Sequence, residues 1–209
     1  MKLVFVLFIG IFAFPSYAQQ SFESVTIGEQ TWMVENLDVS TFRNGDTIPY
    51  APTADEWLKA GENKQPAWCY YKIDPRNGEN YGKLYNWHAV NDSRGLAPGG
   101  WHIPNHDEFV ELFNNFLVDS MIYINLRWNK FSDEHKSYCK KMAAGARGPQ
   151  GNFWSNGNCK RYVCWWIKTE SSESTLHIWS QFTIFRNYSG GFATEALKGN
   201  GFSVRCVKD

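Results

Sequence analysis

The chain has 209 residues with 21 acidic and 21 basic side chains, so its formal net charge at neutral pH is zero. That balance excludes the basic surface of a nucleic-acid-binding protein and the polybasic segment of a protein that binds anionic lipids. Aromatic residues make up 17% of the chain and include ten tryptophans. Because tryptophan and tyrosine combine a large apolar area with a polar edge, they serve both in cores and on binding surfaces.

Residues 1–18 are predicted to be a secretory signal peptide. Lys2 supplies a positive start, residues 3–14 form an apolar run that is short for a membrane span, and Ser16 and Ala18 place small side chains before a cleavage site at Gln19. No later stretch is apolar enough to predict a transmembrane helix. We therefore expect residues 19–209 to form a single domain that is secreted to the periplasm, the cell surface or the exterior.

The first half of the chain predicts a hairpin, a helix and an aromatic strand. Residues 25–34 contain two β-prone runs around Gly28, which favours a hairpin. Residues 54–60 should be helical, because Thr53 and Glu56 form a capping box. The segment 68–71 is aromatic and β-prone, and residues 74–82 are interpreted as a turn with Gly78 at positive φ.

The second half predicts one well-marked helix followed by strands. Asn105 and Glu108 form a capping box before an apolar stripe with helical spacing, which comprises Phe109, Leu112, Phe113, Phe116 and Leu117. Strands are predicted at 163–167, 176–185 and 202–207, and the last of these alternates between two faces. Strands, two helices and further strands indicate an α+β fold with helices beside an antiparallel sheet.

Four segments resemble a family of secreted bacterial modules, the Fibrobacter succinogenes major paralogous domain. They are QTWMVENL at 30–37, WCYYKIDPRNGENYGKLYNWHAVND at 68–92, GLAPGGWHIP at 95–104 and GFSVRCVKD at 201–209. The resemblance implies a fold like that of C-type lectins and formylglycine-generating enzymes, with antiparallel sheets, two flanking helices and long loops. The chain departs from the family pattern between residues 142 and 185, where we expect its specific function to lie.

The five cysteines are Cys69, Cys139, Cys159, Cys164 and Cys206. Disulfides are the default for a protein that crosses an oxidising compartment, but an odd number leaves at least one thiol outside an intramolecular bridge. The family resemblance implies a bridge between Cys69 and Cys206. A further pair could join Cys139 to either Cys159 or Cys164.

Cys159 and Cys164 also allow an enzymatic interpretation. Their C-x4-C spacing resembles the copper-binding cysteines of formylglycine-generating enzymes, and thiolates select Cu(I). The alternative to a binding module is therefore a copper-dependent thiol oxidase that uses these two residues. This pair follows the segment 142–147, which contains Arg147, instead of lying within it. In that respect the pair differs from the cysteine pair of the enzymes.

The other motifs point away from metal-dependent function. The triplets with which C-type lectins bind sugar through calcium are missing, and His102 and His106 flank Pro104 and the helix cap, so they do not share a helix face. We therefore predict no metal site. The candidates for stacking on a ligand lie in the departing segment and are Trp154, Tyr162, Trp165, Trp166 and Trp179.

Together these features predict a secreted, non-catalytic binding module of the bacterial envelope, without a cofactor. A glycan or an envelope protein is the expected partner, and nucleic acid is not. A structural envelope protein without a small ligand is the third alternative, after the copper enzyme.

Overall fold

The computed structural model describes residues 21–112, 114, 144–154, 164–169, 177–179 and 195–209. The strands are β1 (Ser24–Ile27), β2 (Gln30–Met33), β3 (Trp68–Cys69), β4 (Leu84–Tyr85), β5 (Trp101–His102), β6 (His177–Trp179), β7 (Glu195–Leu197) and β8 (Val207–Lys208). The helices are α1 (Ala54–Glu62), α2 (Pro75–Tyr81), α3 (Trp87–Val90) and α4, which covers 106–112, and a 3₁₀ helix spans Tyr71–Ile73.

The main sheet joins the two ends of the described chain. Its strand order is β1-β2-β8-β5, and all neighbours are antiparallel. The predicted hairpin is confirmed: Ile27 pairs with Gln30, and Gly28 occupies the turn with φ of 60°. β3 pairs with β4 and β6 with β7, also antiparallel. The fold is therefore mixed α and β with antiparallel sheets and few helices, which confirms the predicted class at that level.

The segment 201–207 lies at the centre of the fold and is buried throughout. Gly201 exchanges two backbone hydrogen bonds with Arg147, and Phe202 exchanges two with Tyr85, all at 2.7–3.1 Å. Further on, the carbonyls of Val204 and Cys206 accept hydrogen bonds from Leu37 and Met33. The prediction of a continuous strand over 202–207 is thus wrong in detail. Only Val207–Lys208 is a strand, and both faces of the preceding residues are covered.

The described core includes two hydrophobic clusters. The larger contains side chains from both ends of the chain, including Met33, Tyr85, Trp166, Phe202 and Cys206. The smaller lies under α1 and β3 and comprises Ala51, Trp57, Ala60, Ala67, Cys69, Leu84 and Ala144. No helix in the described ranges is long and apolar enough to cross a membrane.

The two predicted capping boxes are present. Thr53 and Glu56 cap α1 reciprocally, and Asn105 and Glu108 do the same for α4. α1 continues past Gly61 to Glu62, so the predicted end at residue 60 is two residues short. The chain leaves α1 through Lys64, whose φ of 55° lies in the left-handed region.

The predicted turn over 74–82 is wrong, because Pro75–Tyr81 forms α2. Asp74 caps this helix by accepting a hydrogen bond from the Arg76 N–H at 3.0 Å, and Pro75 occupies the first helical position, where it has no N–H to satisfy. Gly78 lies inside the helix, where a side chain would overlap the ring of Tyr70. Positive φ occurs at Gly82, which ends the helix at 69°.

The structure does not contain the disulfide implied between Cys69 and Cys206. Both are thiols, and they belong to different hydrophobic clusters. Burial raises the pKa of Cys69 to about 11 and that of Cys206 to about 12, so both are protonated at neutral pH. Closure of the fold therefore depends on backbone pairing and not on this bridge. Cys139 and Cys159 lie outside the described residues, so the second predicted pair stays a prediction.

Arg147 is a buried cation that is compensated by carbonyl groups. Its guanidinium donates to the carbonyls of Gly151, Ala51, Pro52 and Thr53 at 2.6–3.1 Å. Its Cζ also lies 4.7 Å from the ring centre of Trp57 and 4.9 Å from that of Phe153. Arg147 thereby fastens the loop before α1 to the segment that pairs with Gly201.

Replacing Lys64 with glycine should stabilise the protein by about 0.5–1 kcal/mol. A side chain at positive φ costs about 1 kcal/mol, while glycine adopts this conformation without strain and is the common residue after a helix C-terminus. Urea unfolding measures the difference. Lys64→Ala is the control, because it removes the same exposed charge and keeps the strain; an equal gain in both variants would contradict the explanation.

Arg147→Met should destabilise the protein by about 3–5 kcal/mol, because the four carbonyls lose buried hydrogen bonds that methionine cannot replace. Arg76→Met is the matched control. Its ion pair with Asp74 lies at the surface, so the same substitution should change the free energy of unfolding by less than about 1 kcal/mol. Equal losses in the two variants would contradict the role given to Arg147.

Candidate functional site

Two of the predicted ligand-stacking residues are core residues. Trp165 is 2% exposed and Trp166 is fully buried. The Trp165 indole N–H donates to the Asn36 side chain at 2.9 Å, and the Trp166 indole N–H donates to the Tyr85 carbonyl at 2.6 Å. Both rings pack inside the protein, so the prediction that they contact a ligand is corrected.

Of the remaining predicted residues, Trp154 offers a partly exposed ring. It is 38% exposed and packs edge-on against Phe202, with ring centres 5.7 Å apart. Trp179 ends β6, but its side chain lies outside the described part, as does the whole of Tyr162.

The structure instead assembles an aromatic surface that the sequence analysis did not select. It consists of Tyr50, Trp68 and Tyr70, and we call it the aromatic face. The ring centres of Tyr50 and Trp68 are 4.6 Å apart with a 34° angle between planes, and those of Trp68 and Tyr70 are 5.2 Å apart at 75°. Tyr50 is 44% exposed, and the other two are half-buried, so the rings form a supported surface that opens at Tyr50.

Backbone pairing sets the positions of these rings. Tyr50 forms a parallel bridge with Trp68, in which the Trp68 N–H donates to Pro49 and the Ala51 N–H donates to Trp68, both at 3.0 Å. Successive side chains of a strand point to opposite sides, so Trp68 and Tyr70 lie on the outer side while Cys69 is buried between them. The Trp68 indole N–H also donates to the Ile48 carbonyl at 2.9 Å, which fixes the ring.

A single buried ammonium group supports two of the three rings. Nζ of Lys83 lies 4.6 Å from the ring centre of Trp68 and 5.0 Å from that of Tyr70. Nζ donates one hydrogen bond to Oδ1 of Asp38 at 2.5 Å and another to the Asp38 backbone carbonyl at 2.8 Å. Gly78 of α2 leaves the space that the Tyr70 ring occupies. The aromatic face is therefore supported by a cation and by a close helix contact.

Asp38 also borders a neighbouring groove of about 300 Å³. We call it the acidic groove, because Glu23, Glu35 and Asp38 line it together with Phe22 and the segment that follows β2. A second cavity of about 310 Å³ lies at the start of α4, beside His106 and Thr169. Of the two cavities, only the acidic groove is lined by Asp38, which accepts hydrogen bonds from the Lys83 ammonium beside the aromatic face.

Partial burial raises the pKa of Tyr50, with further contributions from Cys69 and Tyr70. The phenol is therefore neutral at physiological pH and can donate or accept a hydrogen bond. A neutral hydroxyl at the edge of an exposed ring suits a ligand that is apolar on one side and hydroxylated on its rim.

Comparison with known proteins identifies the family. The family model described as the Fibrobacter succinogenes major domain matches residues 25–208. The chain belongs to this family. No curated protein and no solved structure matches it. The matched range contains the aromatic face and the closing segment 201–207. It also contains the residues of the acidic groove from Met33 to Val39, whereas residues 21–23 of the groove precede it.

Membership of the Fibrobacter succinogenes major domain family confirms the resemblance, but it carries no assigned reaction to this chain. The copper alternative requires Cys159 and Cys164 together. Cys164 is buried in the larger core cluster, and Cys159 lies outside the described residues, so that alternative stays a prediction. Within the described ranges, no three His, Cys, Asp or Glu residues are grouped as a metal site would require.

His102 connects three elements of this family member. One ring nitrogen lies 2.7 Å from Asp209 and the other 2.7 Å from Glu108, which also caps α4. Partial burial lowers the pKa of His102, but the two carboxylates outweigh it, and the pKa is raised overall. Both contacts are hydrogen bonds only when both ring nitrogens carry protons, so the arrangement favours the charged form. His106 instead contacts Asp107 at 3.3 Å, so the two histidines have separate partners.

The signal that could have revealed the aromatic face was partly local. The aromatic strand at 68–71 was recognised in the sequence, but Tyr50 lies in a turn-rich segment, and its pairing with Trp68 bridges 18 residues. A non-local parallel bridge has no periodic signature in a single sequence.

The His102 contacts should make stability depend on pH. Because the folded pKa is raised, their contribution is complete below the unfolded value of about 6.5 and is lost as pH rises through the folded pKa. His102→Gln should therefore destabilise the protein more at pH near 5.5 than at pH near 8.5, by less than about 1 kcal/mol since the ring is partly exposed.

Urea unfolding of both proteins at the two pH values measures this effect. Burial lowers the pKa of His88, so His88 changes the free energy of unfolding with pH in the opposite direction. Subtracting the value of the variant from that of the wild type at each pH removes this contribution, because both proteins contain His88. A His102→Gln effect that is independent of pH, or larger at the higher pH, would contradict a stabilising role for the charged form of His102 between Asp209 and Glu108.

Proposed function

We propose that this protein is a secreted, non-catalytic glycan-binding module of the bacterial envelope or exterior, and that the aromatic face is its binding surface. The observation that carries the proposal is the exposed ring of Tyr50, stacked against Trp68 and held there by paired backbone. A large aromatic ring in this setting gains contact area on binding and loses little side-chain entropy. The C–H face of a pyranose ring suits it, because that face is apolar while the rim carries hydroxyl groups.

Rigidity supports binding over a purely structural role for this surface. The Trp68 indole is bonded to Ile48, the Tyr70 ring packs on Gly78, and Lys83 lies over both rings. A surface fixed before binding avoids the cost of ordering side chains in the complex. Exposed aromatic rings that are grouped and rigid are also more typical of binding sites than single exposed hydrophobic residues.

The compartment and the finer fold are part of the proposal. The predicted signal peptide at 1–18 supports secretion, with 19–209 as one domain. A C-type-lectin-like scaffold agrees with the meeting of β2 and β8 in one sheet, because that fold joins both chain ends in the same way. A protein ligand, a structural envelope role and a copper-dependent thiol oxidase remain the alternatives, and the contacts described above favour the glycan.

The test is binding to a glycan array, followed by titration calorimetry with the best ligand. Tyr50→Ala should weaken binding by about 5–30-fold, which corresponds to about 1–2 kcal/mol of lost ring burial. Tyr50→Phe should retain most of the affinity, because it keeps the ring. Trp154→Ala is the matched control, because Trp154 is the other exposed aromatic residue in the described ranges, and it should leave the affinity within about twofold.

Two outcomes would contradict the proposal. One is the absence of binding to any glycan by the folded wild-type protein. The other is binding that is retained in Tyr50→Ala and lost in Trp154→Ala, which would place the ligand at Trp154. Turnover of a thiol substrate that requires copper would instead support the enzyme alternative.

A further inference from the structure

We infer that Asn44 is a site of spontaneous deamidation in the folded protein, and that the fold protects the other described asparagines that precede a glycine. Asn-Gly pairs occur at 44–45, 77–78, 156–157 and 200–201. The pair at 156–157 lies outside the described residues, and the other three have different surroundings. Deamidation of Asn44 goes beyond the proposed function and does not depend on it.

The reaction requires only the asparagine side chain, the next backbone nitrogen and water. The Gly45 nitrogen attacks Cγ of Asn44 and forms a five-membered succinimide ring. The Cγ–Nδ2 bond breaks, and ammonia leaves with the proton of the Gly45 nitrogen. Water then opens the ring at either carbonyl, which gives aspartate or isoaspartate at position 44. Glycine favours this ring closure because it has no Cβ to hinder it.

Asn44 lies in an exposed turn that leaves room for the ring. Residues 43–47 are all exposed, and the position that a Cβ would take on Gly45 has no atom within 4 Å. The Asp46 N–H donates to Oδ1 of Asn44 at 3.0 Å. That oxygen gains negative charge during the attack, so the hydrogen bond stabilises the tetrahedral intermediate. The Gly45 N–H donates to the Phe42 carbonyl at 2.9 Å, and this bond must open, which costs little in a surface turn.

The fold restrains the other two described pairs. Asn77 lies inside α2, and its side-chain amide donates to the Tyr71 carbonyl at 2.7 Å. Ring closure at this position therefore requires local unwinding of the helix. Asn200 is 5% exposed, and the N–H of the glycine after it donates to the Arg147 carbonyl at 2.7 Å. Ring closure there requires opening of the core, which costs more free energy than opening a surface turn.

Deamidation of Asn44 would change the charge beside one ion pair. Hydrogen bonds from the Asn44 side chain and from Arg94 hold the pKa of Asp46 below its ordinary value. Arg94 lies 3.1 Å from the Asp46 carboxylate and also pairs with Asp92. A carboxylate at position 44 removes one donor to Asp46 and adds a like charge. The pKa of Asp46 should therefore rise towards its ordinary value after the modification.

Peptide mapping by mass spectrometry tests the inference on folded protein incubated at neutral and at mildly alkaline pH. A protease that cleaves after glutamate separates the three pairs, which fall in the peptides 36–56, 63–79 and 196–209. Peptide 36–56 should be deamidated at least about tenfold faster than the other two. The rate should rise with pH, because the Gly45 nitrogen must lose its proton to close the ring.

The unfolded chain is the first control. In guanidinium chloride the three peptides should be deamidated at rates equal within about threefold, because the fold no longer distinguishes them. Asn44→Gln should prevent deamidation of peptide 36–56, which also contains Asn36, because glutamine would have to close a larger ring. Asp74→Ala removes the cap of α2 and should accelerate deamidation of peptide 63–79 by about threefold to tenfold, without changing peptide 36–56.

Faster deamidation of peptide 36–56 in the folded protein, with nearly equal rates after unfolding, is the expected result. The inference is wrong if Asn44 is deamidated no faster than Asn77 and Asn200 in the folded protein. It is also wrong if deamidation of peptide 36–56 persists in Asn44→Gln. Rates that differ as much in the unfolded chain as in the folded one would also overturn it, because the local sequence would then explain them.

Discussion

The rest of the structure depends on the backbone hydrogen bonds of the segment 201–207. This short stretch pairs with Arg147, Tyr85, Trp166, Leu37 and Met33, which belong to separate parts of the chain. Each of these bonds is non-local, and the segment is buried, so a bond that is not made leaves an unsatisfied polar group in the core. The segment contributes Val207 to the main sheet and Phe202, Val204 and Cys206 to the larger hydrophobic cluster, so it connects the two.

Two buried cations are stabilised in the same way. Arg147 and Lys83 both lie against aromatic rings, and backbone carbonyls accept hydrogen bonds from each. Only Lys83 also contacts a carboxylate, and that carboxylate is partly exposed. The high aromatic content of the chain is thus used partly to accommodate charge in the interior. The buried Arg147 links scaffold segments, whereas Lys83 connects the scaffold to an exposed surface.

The features that the sequence predicted correctly are those with local causes. The two capping boxes and the hairpin at Gly28 depend on residues within four positions of each other, so their patterns are visible in the sequence. α2 was missed although its signal is also local: Asp74 and Pro75 mark a helix start, but the Asn-Gly pair within it suggested a turn. Gly78 is present for the close approach of Tyr70 and not for its own dihedral angles. The aromatic face and the burial of Trp165 could not be predicted, because both result from pairing between distant segments.

The central position of residues 201–207 also has a consequence for the order of events during synthesis. A ribosome delivers these residues after all of their partners, so a nascent chain that lacks them cannot complete the main sheet or bury the larger cluster. Until then the earlier segments have unpaired strand edges and exposed apolar surface, and the non-local contacts close last. Completion of the main sheet and burial of the larger cluster therefore wait until residues 201–207 have been synthesised.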